Sequence, residues 1–237
     1  MFQAVISADL MGRVYTAVSA EESRYYLNGV KVEPCPLGGA LLIATDGHKM
    51  LVLRDAVAVV NETAIVRLSP AMLKACRAKA VKRGVYGERF LIVDEQRAAV
   101  ALTAIPENRG DLLDLARNPN HEVECYQPAG TLIDASYPDW RRVVPNGQVQ
   151  AVAAAFNSEY VSAVSKALCT CRAPVATLQG RGGSIGDAAN APHAVYGDGT
   201  VPGFGVLMPI RSKPLTEHEL PYWLNAAPNA VPIKKTA

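Results

Sequence analysis

The sequence predicts an α+β protein in which antiparallel strands outnumber a few amphipathic helices. The periodic segments run helix, strands, helix, strands, helix, strands, with several strands between successive helices. The strand-like runs are short and are broken by Asn28-Gly29, Gly38-Gly39 and Asp46-Gly47, pairs suited to tight hairpin turns. A repeated unit of one helix backed by antiparallel strands gathers the helices on one side of a continuous sheet. Single strands do not alternate strictly with helices, so a parallel βαβ fold is disfavoured.

The first helix is expected over residues 7–18, where Leu10, Met11, Val14, Tyr15 and Val18 recur at helical spacing behind a capping Ser7. Strands and hairpins follow from residue 23, through Tyr25, Leu27, Val30 and Val32, then over 40–45, 50–53, 57–60 and 64–68. Ser69-Pro70 supplies an N-cap and a proline at the first helical position, which starts a second helix over 70–83, closed by Gly84. Strands are expected again over 90–93, 98–102, 121–126 and 131–135. Asn157 caps a third helix over 158–168, with Val161, Val164, Ala167 and Leu168 as its apolar stripe. Further strands are expected over 175–179, 182–185, 194–196 and 205–208.

The 237 residues include 24 Lys+Arg and 22 Asp+Glu, and 49% are apolar, which excludes disorder as the main state. No apolar run approaches the roughly 20 residues of a membrane span. The N-terminus carries no secretion signal, so a cytoplasmic location is expected. The five cysteines are an odd, scattered set, and the one close pair, Cys169-Thr170-Cys171, has no second pair to complete a zinc site; reduced structural cysteines are the favoured reading.

Asp46 and His48 invite a catalytic reading, but Asp-Gly between two strand-like runs is what a hairpin requires, and no nucleophile sits in a recognisable elbow. The stretch Gly180-Arg181-Gly182-Gly183-Ser184-Ile185-Gly186 lacks the ending of a phosphate loop and opens no helix. The four histidines offer no metal framework, so neither catalysis nor a cofactor is expected. Any DNA surface must be local, because the net charge is only +2. On the second helix Lys74, Lys79, Lys82 and Arg83 fall on one half of the helical wheel, opposite Leu73, Cys76 and Ala80, with no acids to pair them. A solvated face is the plain account, and contact with a phosphate backbone is the functional one.

Three stretches carry more than pattern: Arg24-Tyr25-Tyr26-Leu27-Asn28-Gly29 with Ala44-Thr45-Asp46-Gly47-His48-Lys49-Met50; Tyr137-Pro138-Asp139-Trp140-Arg141-Arg142-Val143-Val144-Pro145; and Val206-Leu207-Met208-Pro209-Ile210-Arg211. In this order they resemble the middle and last domains of the bacterial DNA polymerase III β subunit, the sliding clamp family. Phe156-Asn157-Ser158-Glu159-Tyr160-Val161 is similar to the start of that family's final helix. The resemblance spans about residues 5–211. It implies a DNA-clamp fold and a non-enzymatic processivity factor that encircles duplex DNA and tethers DNA polymerase and other proteins carrying clamp-binding linear motifs. The positions that would line the peptide groove are Leu27, Thr45, Gly47, His48, Met50, Pro138, Arg142, Val143, Val206, Met208 and Pro209, with Asn157 and Tyr160 at the rim. Core packing is the plain alternative for Leu27, Val143 and Val206.

The chain departs from the family in lacking its first domain and in having only ten residues between Pro145 and Phe156, where the family has half a domain. The expected organisation is a complete clamp-like domain over 1–146, a partial one over 147–212 and an extended tail over 213–237. A homo-oligomer is expected, since a ring needs complementary subunit ends. The rival reading is a peptide-binding module without a ring, acting as adaptor, decoy or regulator. The tail segment Leu220-Pro221-Tyr222-Trp223-Leu224 is apolar enough to dock on a groove of this kind.

Overall fold

The computed structural model describes residues 2–78, 88–95, 98–103, 123–127, 131–147, 149–150, 154–171, 173–181 and 190–210. Antiparallel ladders dominate, as expected, and the strands divide between two sheets. Strands β1 (Gln3–Ser7), β5 (Val59–Val60), β7 (Glu88–Asp94), β8 (Ala98–Thr103) and β9 (Val123–Gln127) form a five-stranded sheet in the order β5-β1-β7-β8-β9. The eight-stranded sheet has the order β10-β11-β12-β13-β4-β3-β2-β6. Its strands are β2 (Val30–Pro34), β3 (Ala40–Thr45), β4 (Lys49–Asp55), β6 (Ala64–Val66), β10 (Val149–Gln150), β11 (Thr177–Arg181), β12 (His193–Tyr196) and β13 (Gly203–Leu207).

Among the described residues three α-helices pack against these sheets. Helix α1 (Ala8–Val14) is capped by the Ser7 hydroxyl, which accepts from the Leu10 amide, and continues as a 3₁₀ turn over Tyr15–Ala17. It packs between β3 and β4 on one side and β7 on the other, so one core takes residues from both sheets. Helix α2 (Pro70–Arg77) starts at Ser69 as its sequence requires, with Pro70 in the first turn. Helix α3 (Ser158–Leu168) is capped by Asn157 and lies over β12, β13 and β4. Two arginines lace the helices together. Arg13 donates to the Ala167 and Cys169 carbonyls at the end of α3 (3.4 and 2.9 Å), and Arg77 Nε donates to the Gly12 carbonyl (3.1 Å).

Buried polar groups pin the connections. The Asp55 carboxylate accepts from the Ser7 amide (2.7 Å) and from the Val57 and Ala58 amides (3.1 Å each), tying the end of β4 to the end of β1. The Tyr15 hydroxyl donates to the Leu68 carbonyl (3.1 Å) and accepts from the Leu68 amide (3.0 Å); burial pushes its phenol up, which keeps the donor protonated.

Several expectations are corrected. Residues 22–27 form a 3₁₀ segment (Glu22–Leu27), not a strand: Glu21 pairs with Arg24 at 3.1 Å and Tyr25 is exposed, so its aromatic residues do not seek a sheet face. Helix α2 stops at Arg77, not Arg83, because Ala78 is extended (φ −64°, ψ 134°) and its carbonyl accepts from Arg89 at 2.6 Å. Lys79, Lys82 and Arg83 lie outside the described residues, as do the strand expected over 182–185 and the tail over 213–237. Residues 131–135 make a single bridge, Leu132 to Val66, and no strand.

The ladder between β4 and β13, from Gly203 opposite Leu53 to Leu207 opposite Lys49, joins the segment after residue 147 to the sheet before it. Glycine permits it: a Cβ on Gly205 would stand 2.4 Å from Val164 Cγ1 of α3. Gly205→Val therefore wedges α3 off the sheet, and denaturant unfolding should register a loss of about 1–3 kcal/mol; an unchanged midpoint contradicts this packing.

Candidate peptide groove

Strands β3, β4 and β13 are buried on both faces. Leu42, Ala44, Leu51, Leu53 and Leu207 point to the main core beneath the helices. Ile43, Met50, Val52 and Val206 point the other way, onto a second apolar cluster with Trp140, Tyr137 and Val144. The segment 137–144 thus covers the second face of the sheet, and where its cover stops a cleft of about 180 Å³ opens.

Four pieces of chain make the cleft. Leu27 ends the 3₁₀ segment, and its carbonyl accepts from the Ser19 amide at 3.1 Å. The β3–β4 turn contributes Thr45, Gly47, His48, Lys49 and Met50. The 3₁₀ segment Trp140–Val143, with Tyr137, Pro138 and Asp139 before it, forms one wall, and Val206 and Met208 at the end of β13 form the other. Val143 and Met208 remain 41% and 37% exposed, large apolar side chains facing solvent at one spot.

The turn is held by its own polar groups. Gly47 has φ +90°, a conformation that favours glycine. Thr45 Oγ1 donates to the Lys49 carbonyl (2.8 Å) and accepts from the Gly47 amide (3.0 Å). Asp46 Oδ1 accepts from the His48 and Lys49 amides (2.9 Å each), and its other oxygen pairs with Lys49 Nζ. Burial alone would raise the Asp46 carboxyl, but these bonds outweigh it and hold the group below its ordinary value. The wall is anchored in the same way. Arg141 pairs with Glu33, which Lys31 also contacts at 2.9 Å, and these partners overcome the burial of Glu33 and lower its carboxyl. The Asp139 carboxylate caps the segment at the Arg141 amide (3.3 Å), and the Arg141 guanidinium lies over the Trp140 ring at 4.3 Å. Burial pushes the Tyr137 phenol up, so it stays neutral beside the cleft.

The structure brings Leu27, Thr45, Gly47, His48, Met50, Pro138, Val143, Val206 and Met208 together around the cleft. Arg142, Pro209, Asn157 and Tyr160 do not line the cleft. Side chains three apart eclipse on a 3₁₀ turn, so Trp140 and Val143 share the inner side and Arg142 leaves it. Pro209 is out of phase with Val206 and Met208. Asn157 spends its side chain on the Glu159 amide at 2.8 Å. Tyr160 acts at one remove, stacked on the His48 ring with centroids 5.9 Å apart and beneath Lys49 Nζ at 4.8 Å. Lys49, Tyr137, Asp139 and Trp140 line the cleft without having been expected; the same i, i+3 spacing would have found Trp140 from Val143. The Asp46 carboxylate engages the His48 backbone and not its ring, so the two do not form an acid–base pair.

No protein-family model matches the chain. Two curated proteins from strains of Caulobacter vibrioides, both named β sliding clamp, are 29% identical to it over 142 residues, 57% of this chain and 32% of theirs. The chain thus spans about a third of the length of the curated relatives it matches. Among solved structures, the sliding clamp of Bartonella birtlesii, bound to griselimycin, superposes with a TM-score of 0.54 at 16% identity over 89% of this chain and 66% of that one. The DNA polymerase III β subunit of Borrelia burgdorferi, in complex with a natural product, gives 0.57 at 14% over 90% and 65%. Over part of its length the chain is similar in sequence to bacterial β sliding clamps, and its fold is that of the solved clamps.

Proposed function

We propose that the chain is a sliding-clamp-like binding protein, not an enzyme, which grips short linear peptides of replication partners such as DNA polymerase in the cleft between β4, β13 and segment 137–143. The observation that carries this reading is the convergence of Leu27, Met50, Val143, Val206 and Met208 around one solvent-open apolar hollow. Such a hollow buries aliphatic and aromatic anchors, while the turn and Lys49 offer polar groups to a peptide backbone. A complete clamp-like domain over 1–146 and a partial one over 147–212 remain the proposed organisation, with the cleft at their seam.

Duplex DNA is the second proposed partner, met through the helices. Lys74 on α2 and Lys166 on α3 are exposed. A hollow of about 290 Å³ between α1, α3 and Arg77 is lined by Arg13, Arg77 and Lys166 against the single acid Asp9. This local positive excess supports phosphate contact despite the near-neutral chain; Lys79, Lys82 and Arg83 are proposed as further phosphate contacts.

Fluorescence anisotropy with a labelled peptide carrying aliphatic and aromatic anchors should show saturable binding, weakened about tenfold or more in Met208→Ala; equal affinity for the variant overturns the groove assignment. Lys166→Glu should weaken duplex binding at low salt and reduce the salt slope by about one. Light scattering then separates a closed multimer, as in a ring, from a monomer acting as a peptide-binding module.

The pH dependence has a defined sign. Asp46 and Glu33 are lowered in the folded protein, so their contribution is fully present above the ordinary carboxylate values of about 4 and is lost as pH falls through the lowered ones. Peptide affinity should therefore decline in acid below about pH 4, and Asp46→Asn should be weaker at neutral pH with a flatter acid response.

A further inference from the structure

The fold brings together three side chains of metal-ligating type from two separate parts of the sequence. Cys169 caps the C-terminus of α3, Cys171 follows two residues later, and Asp198 sits in the connection between β12 and β13. One ligand atom from each, two sulfurs and a carboxylate oxygen, lie within 4.8 Å of one another. The two segments meet because Gly197 has no side chain: a Cβ there would stand 2.4 Å from the Leu168 carbonyl oxygen. The Thr170 amide donates to Thr200 Oγ1 at 3.0 Å, and the Thr200 amide and hydroxyl both donate to Asp198 Oδ1 (3.0 and 2.5 Å). Thr200 therefore orients the carboxylate as an outer-shell partner orients a metal ligand.

We propose that Cys169, Cys171 and Asp198 form a binding site for a thiophilic divalent cation of the zinc class. Tetrahedral zinc, with bonds of about 2.0–2.3 Å, places its donors under about 4 Å apart, a modest closure from the present spread. Two thiolates select zinc over magnesium or calcium, which take oxygen ligands. Cys169 is buried while Cys171 and Asp198 are exposed, so the fourth position faces solvent and takes a water. The thiols now contact the Val175 and Ala173 carbonyls at 3.2 and 3.1 Å. On binding, two S–H bonds break and their protons pass to water, two S–Zn bonds and one O–Zn bond to Asp198 form as waters leave the hydrated ion, and no electron is transferred. The bound ion would clip the end of α3 to the β12–β13 connection, on the strands that lead to the cleft. It does not rest on the groove being a peptide site.

The test is titration of the reduced, metal-free 237-residue chain with Zn²⁺, and with Co²⁺ as a spectroscopic probe. One equivalent should bind, with cobalt–thiolate charge-transfer absorption and tetrahedral cobalt bands, and Zn²⁺ should raise the thermal midpoint. Cys171→Ser should abolish the thiolate bands, Asp198→Ala should weaken Zn²⁺ at least about tenfold, and Cys35→Ser should change neither. Absence of cobalt–thiolate absorption overturns the proposal. So does undiminished Zn²⁺ affinity in Asp198→Ala, or conversion of the two thiols to a disulfide with no metal uptake by the reduced form.

Discussion

The pairing of β4 with β13 is the constraint on which the rest of the structure depends. Five residue pairs, from Gly203 opposite Leu53 to Leu207 opposite Lys49, bring two distant parts of the chain into one sheet. The side-chain period of two then decides both faces at once: Leu51 and Leu207 enter the core under the helices, and Met50 and Val206 face the opposite side. A slip of β13 by one residue would turn Val206 into the core and Leu207 out of it, removing the cleft wall that Val206 and Met208 form. Two glycines on β13 protect the register, since Gly203 and Gly205 lie where any side chain would strike β4 or α3.

The second consequence of this pairing is an apolar sheet face that needs cover. Segment 137–144 supplies it, through Trp140, Tyr137 and Val144, and is held down by the Arg141–Glu33 pair. Its cover is incomplete, and the remaining margin is the cleft. The cleft is therefore a product of how the sheet is capped, and its walls are set by the same contacts that stabilise the fold. The β3–β4 turn is rigid for a similar reason: its amides and the Lys49 ammonium are bound by Thr45 and Asp46, so its side chains are presented in a fixed array.

Much of the fold was legible because local signals were unambiguous. Ser69-Pro70 and Asn157 start helices where their capping chemistry requires, and Asp46-Gly47 makes the turn that the alternating runs on either side demand. Helix α2 is shorter than its sequence suggests because the residue that ends it, Ala78, is itself a good helix former, and its extended backbone is held by a bond from Arg89 that no local pattern reveals. Tyr25 and Leu27 alternate as a strand would, yet a local ion pair and 3₁₀ geometry prevail. The cleft residues are legible mainly through the motif resemblance; Trp140 faces the cleft and Arg142 leaves it because side chains three apart share one side of the 3₁₀ turn. Asp198 beside Cys169 and Cys171 could not be read at all, because their meeting depends on Gly197 seating the β12–β13 connection against α3.

A bound peptide should occupy the margin between β4, β13 and segment 137–143. Amide hydrogen exchange, followed residue by residue with and without a saturating anchor-bearing peptide, tests this directly. The Met208 amide, which donates to the His48 carbonyl at 2.9 Å across the seam, is the natural reporter. Slowed exchange confined to residues 45–50, 137–143 and 206–208 is the predicted result; binding that leaves these amides unprotected, or protects a different surface, would contradict it.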